Sequence, residues 1–103
     1  MQLKNIIDAI LDQRIWITDH ADEEAAKDQL SFDEIYFSVM YGEIIETYPN
    51  NSPYPRCLIY GDTFSHEPVH SVWDYDVETK TATLVTVYRP DSQRWFNYKK
   101  RRY

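Results

Sequence analysis

A single cysteine in 103 residues excludes an internal disulfide framework. Cys57 sits in the apolar run Cys57-Leu58-Ile59-Tyr60, where a thiol serves as a small buried hydrophobe and fits a reducing compartment. No apolar run approaches the ~18 residues that a bilayer span requires. Nor does the N-terminus read as a secretory signal, because Asp8 and Asp12 interrupt its apolar stretch. Internal repeats, linkers and low-complexity blocks are also missing. Together these absences predict one cytoplasmic domain over residues 1–103, without membrane contact.

Glycine is scarce, with two residues against sixteen aromatics, nine of them tyrosine and three tryptophan. Such side chains fill the core of a small sheet protein, and they also serve at interfaces and base-stacking platforms. Charge is unevenly spread. Residues 1–88 carry five Lys/Arg against sixteen Asp/Glu, a net of −11. Residues 89–103 carry six Lys/Arg against Asp91 alone, a net of +5. A cationic end on an acidic body suits a polyanion or a charged partner, or a solvated tail over about residues 96–103.

Periodicity divides the chain into helices first and strands afterwards. Leu3, Ile6, Ile7, Ile10 and Leu11 mark an amphipathic helix, followed by a β-leaning segment over 14–18. Thr18 or Asp19 caps a second helix that should stop near Leu30. Ser31-Phe32-Asp33-Glu34 is a capping box, with Leu30 and Ile35 as its hydrophobic staple and Gly42 as the stop of a third helix. Strands are expected over 43–48, 56–61, 69–75 and 81–89. That order predicts an α+β domain whose N-terminal helices pack on an antiparallel sheet of about four strands. One sheet face should then stay free for a ligand.

The second helix carries the densest chemistry. His20, Glu24 and Asp28 are spaced by four and share a helix face. A carboxylate one turn from an imidazole raises its pKa, which suits general acid/base work, half of a metal site or a solvated helix face. Over eight residues His20 and Asp28 lie ~12 Å apart, too far for one ion with ~2 Å bonds. No metal and no cofactor are expected.

The order of motifs resembles one bacterial family, domain of unknown function 4258, over about residues 14–95. The residues that carry the resemblance are His20-Ala21, Leu30 to Ile35, Gly42 to Glu46, Tyr54 to Gly61, Pro68 to His70 and Thr86 to Asp91. That family is grouped with the RelE-like ribonuclease toxins, compact domains with helices on an antiparallel sheet. The resemblance therefore implies a RelE-like fold, metal-independent RNA cleavage and a small antitoxin protein as partner. Many relatives hold arginines where this chain has Glu24 and Asp28, so no phosphate-binding role transfers to that helix.

Such a ribonuclease needs a base for the 2′-hydroxyl, cations for the phosphorane charge and an acid for the leaving oxygen. The candidates are His20 backed by Glu24 as base, Arg89 for charge, Tyr88 for positioning or proton donation, and His70 as a second acid. Arg94, Trp95, Tyr98, Lys99, Lys100, Arg101 and Arg102 are the candidates for holding RNA by phosphate contacts and stacking. Each has a plainer structural role open to it: His20 near a helix cap, His70 as a hydrogen-bonded sheet residue. In strand register Tyr88 is expected in phase with Ala82, Leu84 and Thr86, and Arg89 on the opposite side. Both face one site only if the strand ends or bulges near Tyr88, which Pro90 favours. The competing class is a non-enzymatic interaction domain whose acidic body binds a basic partner.

Overall fold

The N-terminal apolar stripe forms α1 (Leu3–Leu11), burying Ile6 and Ala9. A three-residue strand, β1 (Ile15–Ile17), leads into α2 (Asp19–Lys27), whose N-cap Thr18 accepts a hydrogen bond from the Ala21 N–H at 3.0 Å. The expected capping box forms at α3 (Phe32–Met40). Ser31 Oγ accepts from the Glu34 N–H at 3.1 Å, and the Glu34 carboxylate accepts from the Ser31 N–H at 2.9 Å. Beyond α3 come β2 (Glu43–Tyr48), β3 (Arg56–Asp62), β4 (Pro68–Asp76) and β5 (Thr81–Tyr88). Two short strands, β6 (Trp95–Phe96) and β7 (Lys100–Arg101), follow them. This computed structural model describes residues 1–103, and none of its helices is long and apolar enough to cross a membrane.

The sheet has five strands in the order β1-β5-β4-β3-β2, and it is mixed. Its four long strands are antiparallel, as the strand spacing predicts, while β1 adds a parallel edge beside β5. The difference from a four-strand antiparallel sheet arises from a long-range pairing, Ile15 to Ala82, which local periodicity does not encode. All three helices cover one sheet face. Between the layers lie Ile35 and Val39 of α3, Ala21 and Ala25 of α2, and the inward residues of β3, β4 and β5 with Trp73 among them. The Cys57 thiol belongs to this core, and burial pushes its pKa up to about 12, so it carries no thiolate chemistry.

Both glycines serve the same helix–sheet contact. A Cβ on Gly61 would lie 1.8 Å from the Ser38 carbonyl oxygen of α3, and one on Gly42 would lie 2.4 Å from the same atom. Gly42 therefore follows α3 because of close backbone approach. It marks the stop of α3, as expected, but its φ is not positive, so close approach and not a left-handed turn calls for the glycine.

The left-handed helix ends fall instead on glutamines. Gln13 after α1 has φ of 59° and Gln29 after α2 has φ of 55°. The bonds Arg14 N–H to Ala9 O (2.8 Å) and Leu30 N–H to Ala25 O (2.8 Å) close both ends as Schellman turns. A side chain at positive φ carries strain, so Gln13→Gly is expected to stabilise the domain by about 0.5–1 kcal/mol. That corresponds to a melting temperature higher by roughly 2–8 °C in a thermal scan.

Candidate functional site

The face of the sheet turned away from the helices is built in cross-strand rows. Tyr60, His70 and Tyr88 stand side by side on β3, β4 and β5, and Leu58, Val72 and Thr86 form the next row. Arg56, Asp74 and Thr83 form a third. A bulge between Thr86 and Leu84 sets this arrangement, because β5 carries one residue more than β4 there. The bulge corrects the strand phase: Ala82 and Leu84 point into the core, whereas Thr86 and Tyr88 point to the open face.

The basic tail is folded back over the first row. Its two strands pair as a hairpin whose turn residues, Asn97 and Tyr98, have φ of 52° and 61°. Tyr98 offers its carbonyl to His70 Nε2 at 2.6 Å, and Trp95 meets the His70 ring edge-on with centroids 4.5 Å apart. Arg101 forks onto the Glu46 carboxylate at 2.8 and 3.0 Å, and Lys99 pairs with Glu43 at 3.2 Å. The Arg101 guanidinium holds the Glu46 carboxyl below the usual carboxylate range, and Tyr48 adds a hydrogen bond to Glu46. A frayed tail is thereby replaced by a folded hairpin whose residues 96–103 stay mostly exposed. Acidic side chains on β2 neutralise two of its cations.

His70 is the pin of this contact. A carbonyl oxygen only accepts, so Nε2 carries the hydrogen toward Tyr98, and the bare Nδ1 accepts from the Tyr88 hydroxyl at 3.1 Å. The side chain is fully buried, and desolvation lowers its pKa below the ordinary imidazole value. Both nitrogens are engaged, which fits the hydrogen-bonded sheet role and leaves no proton free for donation to a ligand. Burial also raises the Tyr88 pKa, keeping that phenol protonated.

A pH dependence follows. Above about pH 6.5 the histidine is neutral whether docked or released, and the hairpin has its full stability. Below that pH the released imidazole takes up a proton that the buried one resists, so docking weakens by up to about 1.4 kcal/mol per pH unit. Acidification from pH 7.5 to 5 is expected to red-shift the Trp95 emission as the hairpin loosens, and His70→Phe should flatten the curve.

Arginines gather beside Tyr88. Tyr88, Arg89, Arg94, Arg101 and Arg102 line one cavity of about 620 Å³, with Asp91, Trp95 and Tyr103 completing its wall. Their commitments differ. Arg89 ties down the end of α2, with Nε on the Asp28 carbonyl at 2.8 Å, its amide on the Asp28 carboxylate and Nη1 on Glu67 at 2.5 Å. It is thus largely a cap for α2, although it borders the cavity. Arg102 lies over the Phe96 ring at 3.9 Å and donates to the carbonyls of Ser92 and Trp95. Arg94 and Lys100 are exposed and enter no ion pair. Trp95 is buried, so its ring is closed to base stacking, and the Tyr98 ring packs beside Tyr60.

His20 stands on the same open face, with Nε2 3.0 Å from the Thr86 hydroxyl, one row from Tyr88. Glu24 does not back it. That carboxylate meets Lys27 at 3.3 Å instead, because the i to i+3 neighbour supplies the opposite charge. Asp28 likewise leaves the helix face to bind the Arg89 amide. No three His, Cys, Asp or Glu side chains gather where a metal ion would fit. The residues that local reasoning missed are Thr86 and Glu46, since each acts through a partner more than fifty positions away.

A family model described as a domain of unknown function, DUF4258, matches residues 17–89. No curated protein and no solved structure matches the chain. The matched span runs from the end of β1 through β5 and includes His20, His70, Tyr88 and Arg89, while the hairpin with Arg94 and Arg101 follows it. The match covers well over half of the 103 residues, and the chain belongs to the DUF4258 family.

Proposed function

We propose that this chain is a metal-independent endoribonuclease of the RelE-like toxin type, held in check by a small antitoxin protein. The observation that carries this reading is the convergence of four arginines around Tyr88 in one open cavity. Arginine's planar, permanently charged fork suits a phosphodiester and the charge that builds on its oxygens during transfer. Arg94, free of any acidic partner, is the chief phosphate ligand, with Arg102 beside it. The RNA 2′-oxygen attacks the adjacent phosphorus as His20 accepts its proton through the ring nitrogen not engaged by Thr86. The 5′-oxygen leaves with a proton from solvent, giving a 2′,3′-cyclic phosphate and a 5′-hydroxyl. The Tyr88 ring borders the phosphate site, while its hydroxyl proton stays committed to His70.

One observation favours the interaction-domain reading: Asp19, Asp22 and Glu23 stand exposed on α2 without cationic partners. Incubation of the purified chain with a labelled single-stranded RNA at low salt separates the two. The nuclease reading expects cyclic-phosphate products that His20→Ala abolishes. Intact RNA throughout would overturn it.

A further inference from the structure

The open sheet face has a second cavity, separate from the one the four arginines line and walled by carboxylates. Trp16 is the middle residue of β1. Its neighbours Ile15 and Ile17 pack against the core, so its indole projects onto the open face and is 71% exposed. Tyr54 reaches over from the β2–β3 connection, and Asp74, Asp76, Thr81 and Thr83 form the floor and far wall. Together they enclose a cavity of about 250 Å³ with no cationic side chain in its lining.

The two carboxylates are not equivalent. Asp74 is already neutralised by Arg56, at 2.6 and 3.1 Å. Asp76 accepts only the backbone N–H groups of Glu78 and Thr79, both through Oδ1, so its other oxygen and its charge are uncompensated. Two aromatic rings beside a free carboxylate attract a cation and repel a phosphate. Cation–π attraction and charge complementarity act in the same direction here. The surrounding residues 1–88, at net −11, reinforce that preference.

We infer that the Trp16–Tyr54 cavity is a docking site for a basic segment of a partner protein, which inserts one arginine or lysine side chain between the rings and against Asp76. The site is independent of the nuclease reading, since it lies at the other end of the sheet and needs no catalysis. A nucleic-acid backbone would face the carboxylate of Asp76, which no ion pair offsets.

The probe is octa-arginine, labelled for anisotropy and titrated into the full chain at physiological salt. Trp16 supplies an internal reporter, because Trp73 and Trp95 are 0% and 5% exposed. Saturable quenching of its emission is expected, with a dissociation constant raised about tenfold by Trp16→Ala and by Asp76→Asn. Asp76→Asn keeps the oxygen that the two backbone amides use, and Trp16→Ala removes an exposed ring, so both variants should fold. Asp33→Asn on α3, which packs on the other side of the sheet, should leave the affinity within about twofold, as a distant surface charge does. Equal affinities for all four proteins would overturn the site and leave only diffuse attraction to the acidic body. Quenching of Trp16 by a ten-nucleotide oligouridylate, with octa-arginine inert, would overturn it in favour of RNA.

Discussion

Gly61→Ala is expected to lower the stability of the domain by about 3 kcal/mol or more, beyond the usual overpacking range, and its melting temperature by roughly 12–24 °C. The cause is backbone against backbone. The new methyl would lie 1.8 Å from the Ser38 carbonyl oxygen and 2.7 Å from its carbon, so no rotamer change relieves the clash. Helix α3 would have to lift from β3, opening the contacts of Ile35 and Val39 with Ile59 in the core. Gly42→Ala should behave similarly, because its Cβ would meet Ser38 O at 2.4 Å and Tyr60 O at 2.6 Å. A calorimetric scan in which Gly61→Ala melted within a few degrees of the parent chain would contradict this account of the interface.

The second large effect concerns chemistry. Arg94→Ala is expected to reduce RNA cleavage about 100-fold, the scale of removing one preorganised charge donor at a reacting centre. Stability should barely change, because the Arg94 side chain is exposed and makes no ion pair within the domain. That combination separates a phosphate ligand from a structural arginine. Arg89→Ala, by contrast, should destabilise the fold, since it removes bonds to the end of α2. Equal turnover by the Arg94→Ala and parent proteins would remove the arginine cavity from the mechanism.

The sequence disclosed what depends on neighbours and withheld what depends on distant partners. The Ser31 capping box, the α1 stripe and the four long strands all lie in local spacing, and each forms where that spacing puts it. The alternation of Val69, Ser71 and Trp73 against His70, Val72 and Asp74 was equally legible, because β4 is regular. Tyr88 was not, because a bulge on β5 shifts the phase by one residue, and no glycine marks it. The stop of the second helix near Leu30 was legible, but the left-handed turns at Gln13 and Gln29 were not, because glycine, their usual signal, is absent there. Charge patterning marked the C-terminal cations as a group. It could not reveal that Glu46 and Glu43 bind two of them, because β2 and β7 meet only in the folded chain.

The site therefore differs from the linear pattern in a specific way. Spacing suggested a His20–Glu24 pair, but the fold gives His20 to Thr86 and Glu24 to Lys27. The cations and Tyr88, far from α2 in sequence, share one cavity. His70 proves to be the anchor of the hairpin that brings those cations into place.

The most direct test of the central claim is the salt dependence of binding to an uncleavable 2′-O-methyl RNA. With Arg94 and Arg102 engaging phosphates, log K should fall with log salt at a slope of about −1.4, and Arg94→Ala should flatten that slope by about 0.7. No binding at ~50 mM salt, where such electrostatic contacts are strong, or a slope that Arg94→Ala leaves unchanged, would contradict the account.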